Sequence, residues 1–161
     1  MGDLGNEEES IQFTKACLKQ SRKFLYKHFK QNYPEIETWF EEKVVPALDT
    51  GGREMYSMNI NCEIVGLVII KFGETKNKIC SFYLTPAARN LGLGTMLFNF
   101  VVRKLQSKNI VITVPEKRMA EQYKDRNLAN FLEGFGFEMV SEVPQLYTDL
   151  SEFIFVKKAE A

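Results

Sequence analysis

The sequence predicts one α+β domain, a mixed and mainly antiparallel sheet flanked by helices. Three observations carry this prediction. Two segments of helical period open the chain, three strand-like runs follow with only short turns between them, and the rest alternates strand, glycine loop, helix, strand and helix before two closing strands. No internal repeat, low-complexity segment or linker divides the chain, so residues 1–161 are read as a single unit.

The elements follow in order. Over residues 9–31, Ile11, Phe13, Cys17, Leu18, Phe24, Leu25 and Phe29 recur mostly at three- and four-residue intervals behind Ser10 as a cap, which predicts an amphipathic helix. Its other side carries Lys15, Lys19, Arg22, Lys23, Lys27 and Lys30, a run read as a solvated face. Pro34 should interrupt the helix. Ile36, Trp39, Phe40, Val44 and Leu48 then mark a second helix ending before Gly51 and Gly52, which places the N-terminal helices at 9–49. Residues 55–60 and 63–72 read as strands joined by a tight turn at Asn61 and Cys62, and the near-continuous apolar run EIVGLVIIKF suits a strand covered on both faces. In the next strand, residues 78–85, Cys80, Phe82 and Leu84 alternate with Ile79, Ser81 and Tyr83. Leu93, Met96, Leu97, Phe100, Val101 and Leu105 then recur at helical spacing, and residues 110–114 form a short apolar strand ended by Pro115. A further helix is expected over 124–134, with Leu128, Phe131 and Leu132 inward, and residues 137–140 and 152–156 close the chain as strands.

Composition removes several classes of function. Twenty-one basic and twenty-one acidic side chains cancel, so there is no overall field to draw the chain onto nucleic acid. No apolar run reaches membrane-spanning length, and the acidic residues 1–10 lack the features of a signal peptide, so the expected location is cytoplasmic, with no membrane partner. The three cysteines are odd in number and contain no C-x-x-C pair, which argues against disulfides and structural zinc; they are read as buried, reduced packing residues. One histidine, His28, cannot by itself build a catalytic metal site, and no metal is expected.

The stretch Arg89-Asn90-Leu91-Gly92-Leu93-Gly94-Thr95 lies between a strand and an amphipathic helix. Free N–H groups at a helix N-terminus, with glycines that let a ligand approach the main chain, form a cradle for an anion such as a diphosphate. The lysine of a Walker loop and the third glycine of a dinucleotide fingerprint are both absent. The same glycines also suit a plain tight turn from strand to helix.

Taken in this order, the elements resemble the GNAT superfamily of acyl-CoA-dependent N-acetyltransferases over a core of about 55–137. EIVGLVII is similar to that family's central strand, FYLTPAARNLGLGTML to its strand, proline and Arg/Gln-x-x-Gly-x-Gly/Ala signature, and ANFLEGFGF to its final helix with Gly136-Phe137. The resemblance implies a splayed sheet whose fourth and fifth strands part in a V that admits coenzyme A. The pyrophosphate would sit on the N–H groups of Leu91, Gly92, Leu93, Gly94 and Thr95, with Arg89 and Asn90 in the same loop. The pantetheine arm would lie along Phe82 to Leu84 like an added strand. A backbone N–H beside a bulge, among Phe82, Tyr83 and Leu84, would receive the developing negative charge.

The implied activity is transfer of acetyl from acetyl-CoA to a primary amine by direct attack, with an acyl-CoA-binding sensor that does no chemistry as the alternative. A homodimer is compatible with either. The family's usual tyrosine acid is replaced by Leu132, and the asparagine that opens its helix by Asp125. Glu116, after the fifth strand, is the candidate base or else a surface-turn glutamate. Tyr147 is the candidate replacement hydroxyl or an ordinary loop tyrosine, and Tyr83 is either a wall of the acceptor site or a core aromatic.

Overall fold

The computed structural model describes residues 12–15, 17–31, 33–120, 122–123, 126–146 and 151–160. It begins with a strand, β1 (Gln12–Lys15), where the apolar spacing predicts the start of a helix. β1 pairs antiparallel with the strand Arg53–Ile60, β2, from Gln12 opposite Asn59 to Lys15 opposite Tyr56. Ile11 and Phe13 are two residues apart, so they also fit a strand period, and pairing with the sheet decides between the two.

Helix α1 (Leu18–Phe29) stops short of Pro34 and buries Ser21, Leu25 and Phe29. The second helical stretch is α2 (Ile36–Trp39), a π-helical segment (Phe40–Val44) and α3 (Val45–Thr50). Pro46 has no N–H to offer the preceding turn, and the wider turn just before it accommodates that loss. Gly51, at φ +84°, ends the stretch in the left-handed region.

β2 turns into β3 (Glu63–Lys71) through Asn61 and Cys62, both at positive φ (52° and 70°), the geometry of a two-residue hairpin turn. β4 (Lys76–Leu84), a 3-10 turn (Pro86–Leu91), α4 (Leu93–Leu105) and β5 (Asn109–Pro115) follow as expected. Beyond β5 lie α5 (Glu116–Ala120) and a small hairpin of β6 (Gln122–Tyr123) and β7 (Arg126–Asn127), neither legible in the apolar pattern. The helix expected from residue 124 starts instead at Leu128 as α6 (Leu128–Gly134), because the Asn127 side chain caps it by accepting from the Asn130 N–H at 2.8 Å. β8 (Glu138–Val143) and β9 (Glu152–Lys157) close the chain.

Seven strands form one sheet in the order β1-β2-β3-β4-β5-β9-β8, parallel between β4 and β5 and antiparallel at every other junction. β3 is covered on both sides: Val68 and Ile70 pack on the α4 face, Leu67 and Ile69 on the face of α1 and the second helical stretch. The α4 face centres on Phe98, whose ring meets Phe82, Phe131, Phe135 and Phe137 at centroid distances of 5.1, 5.2, 4.7 and 5.6 Å. On the other face Leu25, Phe29, Phe40 and Val44 form a second core.

The cysteines depart from expectation. All three are free, but Cys17 and Cys62 are exposed and only Cys80 is partly buried. Cys17 holds the N-terminal boundary position of α1, with no capping bond from its side chain, and Cys62 occupies the hairpin turn, both positions at which the chain faces water. Among the described residues no helix is long and apolar enough to cross a membrane, and no cluster of metal-binding side chains occurs.

Candidate active site

β4 and β5 are paired only from Lys76 opposite Asn109 to Ile79 opposite Ile112. The next residue of β4, Cys80, is bulged: Ile70 of β3 faces Ile79 while Ile69 faces Ser81. A bulge bends its strand and sharpens the local twist. Beyond it, residues 81–84 pair with β3 alone, and residues 113–115 pair with β9 alone. The sheet therefore splits in a V. The bulge lies two residues before Phe82, and no glycine or proline marks it in the sequence.

The Thr85 N–H donates to the Val65 carbonyl at 2.8 Å, which sets the alternation along β4. Backbone groups of Ser81 and Tyr83 turn toward β3, and those of Phe82 and Leu84 turn into the split. One of these is engaged: the Leu84 carbonyl accepts from Arg89 Nε at 2.8 Å. The groove in the split runs through the sheet. Phe29 and Tyr33 line it on the α1 face, residues 80–82 and 113–115 form its sides together with Arg118, and Phe98, Leu128 and Leu132 line it on the α4 face.

Before α4, Gly92 sits at φ +73° with open space where a Cβ would project, and no side chain caps the helix. The Met96 N–H is bonded back to the Gly92 carbonyl, so the N–H groups of Leu93, Gly94 and Thr95 have no partner within the helix. A Cβ at Gly94 would touch Leu84 Cδ2 at an ordinary 3.6 Å, which places this helix terminus beside the end of β4.

Tyr83 is half-buried on the α1 face, with His28 stacked on it at 4.5 Å and Phe29 edge-on at 5.6 Å. The Arg89 and Arg118 guanidiniums lie 5.2 and 5.9 Å from its ring centre. Burial, and then the charges of Lys27 and Arg89, hold the His28 imidazole below its ordinary pKa. Nothing in the local pattern around His28 signals this contact, because its partners come from β4 and the loop after it. Arg89, expected in the pyrophosphate loop, is thus held against β4.

Glu116, the candidate base, heads α5 with an exposed side chain outside the groove, its N–H donating to the Ser151 carbonyl at 3.0 Å. Tyr147 lies outside the described residues, and Asn90 and Leu91 are described by their backbone in the 3-10 turn. Leu132 is fully buried and brings no hydroxyl to the groove wall. Two residues that sequence reasoning passed over are Tyr33 and Glu152. The Tyr33 hydroxyl donates to Glu152 Oε1 at 3.1 Å, and Glu152 is fully buried at the start of β9. Burial pushes the Glu152 carboxyl up, against the opposing pull of the Tyr33 hydrogen bond and of Lys78.

Residues 28–151 match the family model of the acetyltransferase (GNAT) domain, more than half of the chain. The protein belongs to that family. No curated protein sequence matches it. Among solved structures, Arabidopsis thaliana Naa50 in complex with the bisubstrate analogue CoA-Ac-MVNAL is similar at 16% identity and TM-score 0.70, over 92% of this chain and 99% of that one. The aminoglycoside 6'-N-acetyltransferase from Enterococcus faecium is similar at 16% identity and TM-score 0.65, over 94% and 97%. A GNAT family acetyltransferase from Elizabethkingia anophelis with acetyl-CoA bound is similar at 15% identity and TM-score 0.57, over 73% and 84%. At these identities the likeness is one of fold.

Proposed function

We propose that the protein transfers an acetyl group from acetyl-CoA to a primary amine by direct attack of the amine on the thioester. The observation that carries this reading is the departure of β4 from β5 after Ile79, which leaves the edge groups of Phe82 and Leu84 unpaired with β5 beside a groove lined from both faces of the sheet. Acetyl-CoA fits the residues present. Its diphosphate would take the N–H groups of residues 91–95, where Gly92 leaves open space and the α4 dipole favours negative charge. Its amide-bearing arm would pair with the free edge of β4 at Phe82 and the Leu84 N–H, the Leu84 carbonyl being held by Arg89.

The acceptor would enter from the α1 face, past Tyr83 and Tyr33. The Phe82 N–H, which turns away from β3, would donate to the thioester oxygen as negative charge builds there, an interaction whose loss typically costs about 3 kcal/mol of transition-state stabilisation. The thiolate of CoA, from a thiol with a pKa of about 8.5, can depart without an acid, which matches Leu132 in the groove wall. The amine-bearing molecule belongs to a broad class: the similar structures include one with a peptide-CoA analogue and one of an aminoglycoside enzyme. Leu132 is also the observation that favours the second reading, an acyl-CoA-binding module without turnover.

Thermal shift and thiol release test this together. CoA and acetyl-CoA should raise the melting temperature where ATP and NAD do not, and free CoA should appear on adding an amine. No shift at millimolar acetyl-CoA defeats the proposal. A shift with no thiol release from any amine supports the binding module.

A further inference from the structure

We propose that Tyr33 and Glu152 together take the proton of the acceptor amine, Tyr33 at the groove wall and Glu152 behind it as the proton acceptor. The proposal rests on the acetyl-transfer reading and names the part of the site that prepares the nucleophile.

Glu152 opens β9 directly opposite Pro115, the last residue of β5, three residues beyond the last pair of β5 with β4 at Ile112. Phe153 and Phe155 pack on the α4 face, so by strand alternation Glu152 turns to the α1 face, where Tyr33 meets it. Its exposure is 0%, yet only Oε1 has a partner, the Tyr33 hydroxyl; Oε2 is buried with no hydrogen bond. No ion pair to Glu152 offsets this among the described residues. Lys78 of β4 acts on it as a charge, and Arg118 of α5 lies over the Tyr83 ring. An unsatisfied buried oxygen costs about 1–3 kcal/mol. What would satisfy it is a proton, and the route for one is Tyr33, which lines the groove while donating to Glu152.

The chemistry needs such a group. An alkyl amine with an unperturbed pKa of about 10.4 is mostly ammonium at neutral pH and has no lone pair for attack. Burial raises the proton affinity of Glu152, which suits a base better than the exposed Glu116. The ammonium donates to the Tyr33 oxygen as the Tyr33 proton passes to Glu152, leaving a neutral amine, an intact tyrosine and a protonated carboxyl. The amine lone pair forms the C–N bond, the C–S bond breaks, and the second amine proton goes to the departing sulfur. Glu152 then returns its proton to solvent, so ammonium and thioester become amide, thiol and one free proton.

The test is the pH profile of thiol release for the parent, Glu152→Gln and Tyr33→Phe, with spermidine, kanamycin and the peptide MVNAL as probes. Each substitution should lower turnover about 100- to 1,000-fold near neutral pH, with the acetyl-CoA thermal shift unchanged. The deficit should shrink as the pH reaches the acceptor amine's own pKa, about 10 for an alkyl amine such as spermidine and about 8 for the α-amino group of the peptide, where the amine sheds its proton to water. A merely structural role would give profiles parallel to the parent's, and parallel or unchanged profiles overturn the proposal. Should Glu152→Gln not fold, Tyr33→Phe decides alone, since it leaves the carboxylate in place. A parent that binds acetyl-CoA but acetylates no probe overturns the transfer reading and this one together, a pattern distinct from an active parent with parallel variants.

Discussion

His28 stacks on Tyr83 with ring planes 24° apart, and Phe24 reaches both rings, at 4.5 Å from His28 and 6.0 Å from Tyr83. The stack joins α1 to the wall of the split, so the protonation of one side chain on a helix is coupled to the docking of that helix on the sheet.

A pH dependence of stability results. His28 is held below its ordinary pKa in the folded chain by burial and by Lys27 and Arg89, so the unfolded chain binds the proton more readily. Stability from this residue is present above the unfolded value of about 6.5 and is lost as pH falls through the window below it. The melting-temperature difference between the parent and His28→Phe should therefore move against the parent on going from about pH 7 to about pH 5. A difference that stays constant would show that the imidazole does not titrate in this way.

Gly92 at φ +73° makes a second prediction. Gly92→Ala should cost about 1 kcal/mol, seen as a fall of roughly 2–4 °C in melting temperature, because a Cβ is strained in the left-handed region even with open space around it. Gly92→Glu should carry the same strain and also abolish the acetyl-CoA shift by placing a carboxylate where the diphosphate would lie. An undiminished shift in that variant moves the anion site elsewhere.

Leu132 is fully buried at the groove wall. Leu132→Tyr should cost about 1–3 kcal/mol by overpacking while bringing a hydroxyl to the groove and raising the rate of CoA release. If Tyr147 already supplies a hydroxyl, that gain should vanish and Tyr147→Phe should lose activity instead.

Phe98 touches four other phenylalanines, so Phe98→Ala should destabilise the fold by about 3–5 kcal/mol in urea unfolding. Arg22→Ala breaks a pair with Glu41 at 2.6 Å, but the pair lies at the surface and its loss should be small beside that of Phe98. Equal losses in the two variants would mean that the aromatic cluster is not the centre of the core.

Most elements were legible because apolar residues repeat at the period of the element they build: residues 63–72 as a doubly covered strand, Leu93 to Leu105 as a helix. β1 was not, since its few apolar residues satisfy two periods and the partner strand makes the choice. The bulge at Cys80 was hidden by a clean alternation on either side of it, although it decides where the sheet opens. The glycine loop announced itself through conformational need, whereas Glu152 reads as an ordinary polar start to a strand. Its burial is a property of what folds over it from the far end of the chain.

Lys76 to Ile79 against Asn109 to Ile112 is the one stretch of ladder that ties β1-β2-β3-β4 to β5-β9-β8 among the described residues. Mechanically the domain is a pair of jaws on a short hinge, with α4 laid alongside. A ligand that lends hydrogen bonds to the open edge of β4 would act as a splint across that hinge. Amide exchange should then slow on both jaws when acetyl-CoA binds, in strands that the ligand itself never touches.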